Sequence, residues 1–480
     1  MNINKYATHY EITDYTLGDC PALEKMLSVW DDKTFSNIIY YHYDTSKSIL
    51  YIPTGINEFV LRQLLDEPVD NCFEVNDKAK ASFIMNLEPR NISQKQAIRF
   101  LLGKGEYSYT KSSNQLVLSL PGGGGKTFCA VAALSNMNTK GIIITDSDEI
   151  RKQWLSRILQ YTNLTEDNVV LLTSTDKLKS LVDDKRKRAL SKNIIYLVTH
   201  RLLGSYMKRY GFNSLNQAFI KLGIGVKIID EAHKEFRSTL MIDYATNVAK
   251  SFYLTATFIR SDPKENKVFQ NAFNSLYKLV LSDEDIGHER NVLYIAYIIK
   301  SKITPIEAQH MNIKKTFSVQ RYFQYENKYM ELFDAVEYWL KWYYDQKGFN
   351  GKTFILSSKK DSCDISNKIA TELFPDKRVS VHYTGSKVND LMDYDIISAT
   401  DRMLGTGIDL SGLGMIINLV PISSHGNIDQ IIHRLMRGNS NDTAYYIEII
   451  DWAVPHTIDM YYRRSKIIRK IVKKAVTFRK

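Results

Sequence analysis

Cysteine is scarce in this chain: four in 480 residues, at Cys20, Cys72, Cys129 and Cys363, with no CxxC pair and no His pair nearby. That spacing argues against a zinc site and a disulfide framework, and it suits a reducing cytoplasm. No apolar run approaches the roughly 20 residues needed to cross a bilayer. The opening segment MNINKYATHYEITDY lacks the basic-then-apolar pattern of a secretory leader, so no membrane association is expected. Internal repeats, low-complexity tracts and long Pro/Gly linkers are missing too. Domain boundaries therefore have to be read from the order of strands and helices. Acidic residues are in deficit, 53 against 64 Lys and Arg, and the net charge of +11 favours an anionic partner such as nucleic acid.

A chain of this length exceeds one hydrophobic core and predicts two or three domains. From Leu116 onward, short β-branched runs alternate with amphipathic stretches such as EIRKQWLSRILQYT (149–162). The runs are QLVLSL (115–120), GIIIT (141–145), IIYLVT (194–199), VKIID (226–230) and FYLTAT (252–257). Nearly unbroken apolar runs of this kind are parallel strands buried on both faces, and their alternation with helices reads as a doubly wound α/β domain. A second series holds TFILS (353–357), RVSVHY (378–383), YDIISAT (394–400), GMIINLV (414–420) and AYYIEII (444–450), led by a helix over 329–346. The pattern predicts a small N-terminal α+β domain over 1–88, with a hairpin over 37–53 and a helix over 57–67. Two α/β domains follow, over 89–290 and 291–455, and a basic C-terminal helix over 456–480.

The segment LSLPGGGGKTFCAVAAL (118–134) is the strongest local signal. A buried strand ends, Gly122, Gly123, Gly124 and Gly125 follow, and Lys126 and Thr127 open a helix. Glycines allow backbone N–H groups to encircle phosphates, and the helix N-terminus adds unpaired donors and a positive dipole. Lys126 would neutralise β/γ-phosphates, and the Thr127 hydroxyl would ligate Mg²⁺. Leu120 stands where G-x-x-x-x-G-K-[ST] asks for glycine. VKIIDEAH (226–233) ends a strand in two acids. Asp230 is a candidate Mg²⁺ holder and Glu231 a general base for an attacking water. In QIIHRLMR (430–437), Arg434 and Arg437 share a helical face and suit transition-state charge stabilisation at a γ-phosphate. A solvated basic face competes with that reading.

These motifs, in this order from about residue 89, resemble those of superfamily 2 helicases. NISQKQAI (91–98) is similar to the Q-motif, with Gln94 as adenine reader; PGGGGKT, IIITDSDEIRKQW (142–154) and LVTHRLL (197–203) fall at motifs I, Ia and Ib. DEAH and TAT (255–257, within LTATFIRSD) fall at motifs II and III, SATDRMLGTGIDLSG (398–412) at motif V, and QIIHRLMR at motif VI. Phe258 and His433 depart from the usual Pro and Gly. The resemblance implies two tandem RecA-like domains with ATP and Mg²⁺ between them. The first would contribute Gln94, Lys126, Thr127, Asp230 and Glu231, the second Arg434, Arg437, Gly407 and Asp409.

Thr255 and Thr257 would couple closure to DNA. Further nucleic-acid candidates are Thr199, His200, Thr400, Arg402, Ser357, Lys359 and Lys360, with Arg463 and Arg464 on the basic C-terminal helix. Within the superfamily the chain resembles phage and viral DNA helicases of the UvsW type, related to XPB and RecG-like branch-migrating enzymes. That implies a monomer acting on forked or junction DNA in replication, recombination and repair, in a host cytoplasm if phage-encoded. A double-strand translocase that does not separate strands, an RNA helicase, and a scaffold with a decayed ATPase are the alternatives. The absence of an S-A-T motif III speaks against an RNA helicase, and the intact site residues against decay.

Overall fold

The computed structural model describes all residues except 33, 73–74, 77, 187–191, 257, 261, 283–284, 286–290, 314–315, 384–392, 401–411, 422–430, 433–434, 436–442 and 480, and the side chains of Ile467 and Lys470. The chain forms two compact units, Met1–Ile286 and Gly287–Lys480.

In the first unit seven strands make one parallel sheet: β1 Gln115–Ser119, β2 Lys140–Thr145, β3 Val169–Leu171, β4 Ile195–Thr199, β5 Ile224–Ile229, β6 Lys250–Thr255 and β7 Tyr277–Val280. Their spatial order is β3-β4-β2-β5-β6-β1-β7. The five expected strands are β1, β2, β4, β5 and β6. Every residue of β1, β4 and β5 is buried, which is why those runs are continuous in the sequence. The edge strands β3 and β7 escaped prediction. They are short, and β7 has no buried residue, so neither carries a core-strand pattern.

Residues 1–88 are part of this unit. Their five-stranded sheet runs in the order His42–Asp44, Ile49–Pro53, His9–Thr13, Asn2–Lys5 and Val69–Asn71, with a helix at Glu58–Leu65. The hairpin expected over 37–53 is shorter than predicted, because Ser36–Ile39 pairs instead with Ser28–Asp31. The break falls at Tyr40, whose carbonyl accepts from the Tyr244 hydroxyl at 2.6 Å and whose ring stacks on Phe236 at 4.9 Å. Side chains of this module and of the α/β sheet form one continuous apolar core. Gly55 sits so close to the Ala272 carbonyl that a Cβ would collide with it.

In the second unit β8 Val292–Ile299, β9 Lys352–Ser357, β10 Val379–His382, β11 Ile396–Thr400, β12 Leu413–Asn418, β13 Ala444–Asp451 and β14 Lys474–Arg479 are again all parallel. They lie in the order β10-β11-β9-β12-β13-β8-β14. The fold is thus two RecA-like parallel sheets with a small α+β addition.

Residues 456–480 are not a single basic helix. A helix covers Pro455–Ile471, and KAVTFR then pairs with β8 as an edge strand. Alternating Ala, Thr and Arg with Val, Phe and Lys has a period of two, which suits a strand better than a helix turn. Among the described residues no helix is long and apolar enough to cross a membrane.

Candidate nucleotide site

Three neighbouring strands, β5, β6 and β1, end on the same side of the first sheet and carry the DEAH segment, Thr255 and the glycine loop. Ligands in open parallel sheets bind beyond the carboxyl ends of strands. After β1, Gly123 and Gly125 take positive φ, +84° and +89°, which glycine adopts without strain. Gly125 caps the helix Lys126–Met137 and offers no side-chain oxygen, so the helix start has no side-chain cap and its first N–H groups suit an anion. The loop is braced from behind by Gln94 and Arg90. The Gln94 amide donates to the Gly124 carbonyl at 3.3 Å and accepts from the Arg90 N–H at 3.0 Å. The Arg90 guanidinium donates to the Gly123 carbonyl.

Leu120 is harmless to the loop because its backbone does the work. It is buried, and its carbonyl accepts from Lys126 Nζ at 3.2 Å. Lys126 Nζ also lies 3.5 Å from Glu231 Oε1, joining the glycine loop to DEAH. Asp230 Oδ1 accepts from the Glu231 N–H at 3.1 Å, and Oδ2 from the Trp154 indole at 2.8 Å. Glu231 has a φ of +45°. A left-handed backbone costs a non-glycine residue about 1–2 kcal/mol, and strain of this kind concentrates at functional sites.

The two acids are driven apart electrostatically. Burial, then the neighbouring Glu231 charge, pushes Asp230 up to about 6. Burial works against ionisation of Glu231 also, but the charges of Lys126, His233 and Lys234 and the hydrogen bond from the Ala256 N–H together outweigh it and hold the carboxyl at about 2. His233 is itself pushed down to about 4 by burial. His233 Nδ1 lies 2.8 Å from the Thr255 hydroxyl and 3.3 Å from Glu231 Oε2. Arg260 donates to the carbonyls of His233 and Lys234 and pairs with Glu265, which locks the stretch after DEAH. Phe258, where proline is usual, packs on Phe269 and Phe273.

Among the described residues no three His, Cys, Asp or Glu side chains cluster as a metal cage. Mg²⁺ does not require one, since it is commonly held by one or two protein oxygens, waters and substrate phosphates. Asp230 at a strand end and Thr127 at a helix start are a donor set of that chemistry.

The structure removes several residues from the expected nucleic-acid surface. Thr199 caps the helix His200–Tyr210 by accepting from Leu202 N–H, and is 8% exposed. His200 is 3% exposed, with Nδ1 3.1 Å from the Ser238 hydroxyl. Thr255 is buried against His233 and Ser357 against Cys363. Arg464 is buried in an ion pair with Glu448, so it belongs to the core of the second unit. Arg463 is exposed, Thr400 and Lys359 are half-buried, and Lys360 is exposed. Thr257, Arg402, Gly407, Asp409, Arg434 and Arg437 lie outside the described residues. The sequence reading gave no role to Arg90, Trp154, His233 or Arg260. Trp154 and Arg260 stood within quoted motifs, but only geometry shows what they hold.

Burial also pushes His200 down to about 4. Above pH 6.5 it is neutral folded or unfolded. Between about 6.5 and 4 only the unfolded chain takes up the proton, so stability falls with pH at up to about 1.4 kcal/mol per unit. His200→Gln is expected to flatten that part of a urea-denaturation series measured against pH. An unchanged slope would mean that His200 titrates normally in the folded chain.

Residues 86–260 match a sequence-family profile described as "Type III restriction enzyme, res subunit". The chain is 25% identical over 198 residues to the "General transcription and DNA repair factor IIH helicase/translocase subunit XPB" of Encephalitozoon cuniculi, covering 39% of this chain and 27% of that protein. It is 26% identical over 153 residues to the "DNA 3'-5' helicase XPB" of Mycobacterium tuberculosis, covering 32% and 25%. The chain thus spans about a quarter of the length of these relatives. The solved structure of S. cerevisiae Dbp5 bound to RNA and ADP BeF3 superposes with a TM-score of 0.52 at 15% identity, over 80% of this chain and 89% of that one, a likeness of fold.

Proposed function

We propose, for a chain that belongs with the superfamily 2 helicases, the function of an ATP-driven motor on DNA. The observation that carries this reading is the meeting of Lys126 and Glu231 at 3.5 Å, with Asp230 and Thr255 on the neighbouring strand ends. The glycine loop binds the phosphates of ATP, Lys126 turns from Glu231 to their charge, and Gln94 reads the adenine. Mg²⁺, when bound through Thr127 and Asp230, neutralises charge on the transferred phosphoryl group. Glu231 orients and deprotonates the attacking water. Arg434 and Arg437, with Gly407 and Asp409, complete the site on the strength of motif resemblance.

DNA is favoured as the track by the net charge of +11 and by the resemblance of the motifs to those of DNA helicases. The exposed cations of the second unit, Arg463, Lys466, Arg469 and Lys473, suit phosphate contacts, which carry little sequence preference. The finer reading is a monomer that unwinds or branch-migrates forked and junction DNA during phage or viral replication, recombination and repair. Translocation on duplex DNA without strand separation is the second reading.

ATPase rates measured with single-stranded DNA, duplex DNA and RNA test the track. Stimulation by DNA and not by RNA is expected, and the reverse would overturn the DNA reading. Strand displacement on forks and Holliday junctions, run beside triplex displacement, separates unwinding from duplex translocation. Activity in the triplex assay alone would leave only the second reading standing.

A further inference from the structure

Trp154 sits on the helix Asp148–Tyr161, which follows β2, and is 2% exposed. Packing alone explains a buried indole ring but not the direction of its N–H, which needs an acceptor once it leaves water. The acceptor is Asp230 Oδ2 at 2.8 Å. The other oxygen, Oδ1, accepts from the Glu231 N–H at 3.1 Å. Each oxygen of the carboxylate therefore has one fixed donor, and the two donors come from different parts of the chain. Rotation of the carboxylate would break both bonds. A carboxylate oxygen has two lone-pair sites, so each keeps one open while its plane is fixed. The ring cannot follow a turning carboxylate, because it is packed into the core between helix and sheet.

We propose that Trp154 is a positioning residue for divalent-cation binding: its indole N–H holds the Asp230 carboxylate in the orientation that receives the ion. The inference rests on the reading of Asp230 as the cation holder. Trp154 touches neither phosphate nor water in this role, and it acts only through Asp230. Outer-shell partners of metal-binding groups commonly contribute in this way.

The test follows nucleotide binding, not turnover. Anisotropy of N-methylanthraniloyl-ADP, excited directly, is titrated with the full-length protein at a series of Mg²⁺ concentrations that includes none. Wild type is compared with Trp154→Phe and with protein carrying benzothienylalanine at position 154, which keeps the shape of the ring and replaces N–H by sulfur. Both variants are expected to lose about 10–100-fold of the affinity for Mg²⁺, while metal-free nucleotide affinity stays within about twofold. If the benzothienyl protein keeps the full Mg²⁺ effect, Trp154 serves packing alone and the inference fails, whatever Trp154→Phe does. If wild type itself shows no Mg²⁺ effect, the assignment of Asp230 falls first and takes the inference with it.

Discussion

Glu231→Gln is expected to lower ATP hydrolysis by about 10²–10⁴-fold, with nucleotide affinity close to that of wild type. Gln keeps the size of the side chain and both polar positions, so contacts to the Ala256 N–H, 3.4 Å from Oε2, can persist in part. What it removes is the base. A carboxyl held at about 2 is by itself a weak base. First among the groups that lower it is Lys126, 3.5 Å away, and the same lysine is the group drawn to incoming phosphates. As Lys126 turns to the nucleotide, the restraint on Glu231 relaxes and its basicity rises when the substrate arrives. Single-turnover hydrolysis beside equilibrium ATP binding separates the two roles. A variant that hydrolyses ATP at the wild-type rate would exclude Glu231 as the base. A loss confined to binding would do so equally.

Asp243→Leu is expected to destabilise the first unit by about 3–5 kcal/mol, and adding Lys227→Met to recover most of that loss. Lys227 is fully buried on β5, its ammonium 2.5 Å from Asp243 Oδ1 and 3.0 Å from the Thr246 hydroxyl. Burial lowers the Lys227 pKa and raises that of Asp243, in each case against the charged form. Removing the acid alone strands a cation in an apolar interior, whereas replacing both partners leaves a well-packed pair. Recovery should stop short of complete, because the Tyr253 hydroxyl donates to Asp243 Oδ2 at 2.8 Å and loses that acceptor. The backbone beside this pair also holds the N-terminal module. His9 Nδ1 lies 3.2 Å from the Asp243 carbonyl, and the Thr8 hydroxyl donates to the Thr246 carbonyl. Urea denaturation followed by circular dichroism gives the midpoints. Equal midpoints for the single and double variants would mean that the ion pair is not the source of the loss.

How far the sequence could be read followed from what each signal constrains. Gly123 and Gly125 were legible because their positive φ restricts residue type, and β1, β4 and β5 because both faces are buried. The DEAH acids were legible because a buried strand ends just before them. The nucleic-acid residues were less so. Thr199 ends β4 and His200 follows it at the carboxyl end of the strand, yet the motif does not say which way a side chain turns. Thr199 turned to cap a helix, and His200 into the core. Arg464 looked like one more cation on a basic helix, and its partner Glu448 lies on a strand with no local link to it. Trp154 and Asp230 are likewise separated by three strands of the first sheet in sequence, so their hydrogen bond is a tertiary fact.

The place of β8 in the second sheet bears on how that unit is made. Val292–Ile299 lies between Ala444–Asp451 and Lys474–Arg479, so both of its hydrogen-bonding edges belong to segments that leave the ribosome much later. At about 5–20 residues per second, β8 would wait roughly ten seconds or more for β13 and longer for β14. During that interval an eight-residue run, VLYIAYII, has neither neighbour. Nascent chains stalled before Ala444 would therefore present a bare apolar strand, the kind of segment that chaperones cover and that aggregates when they do not.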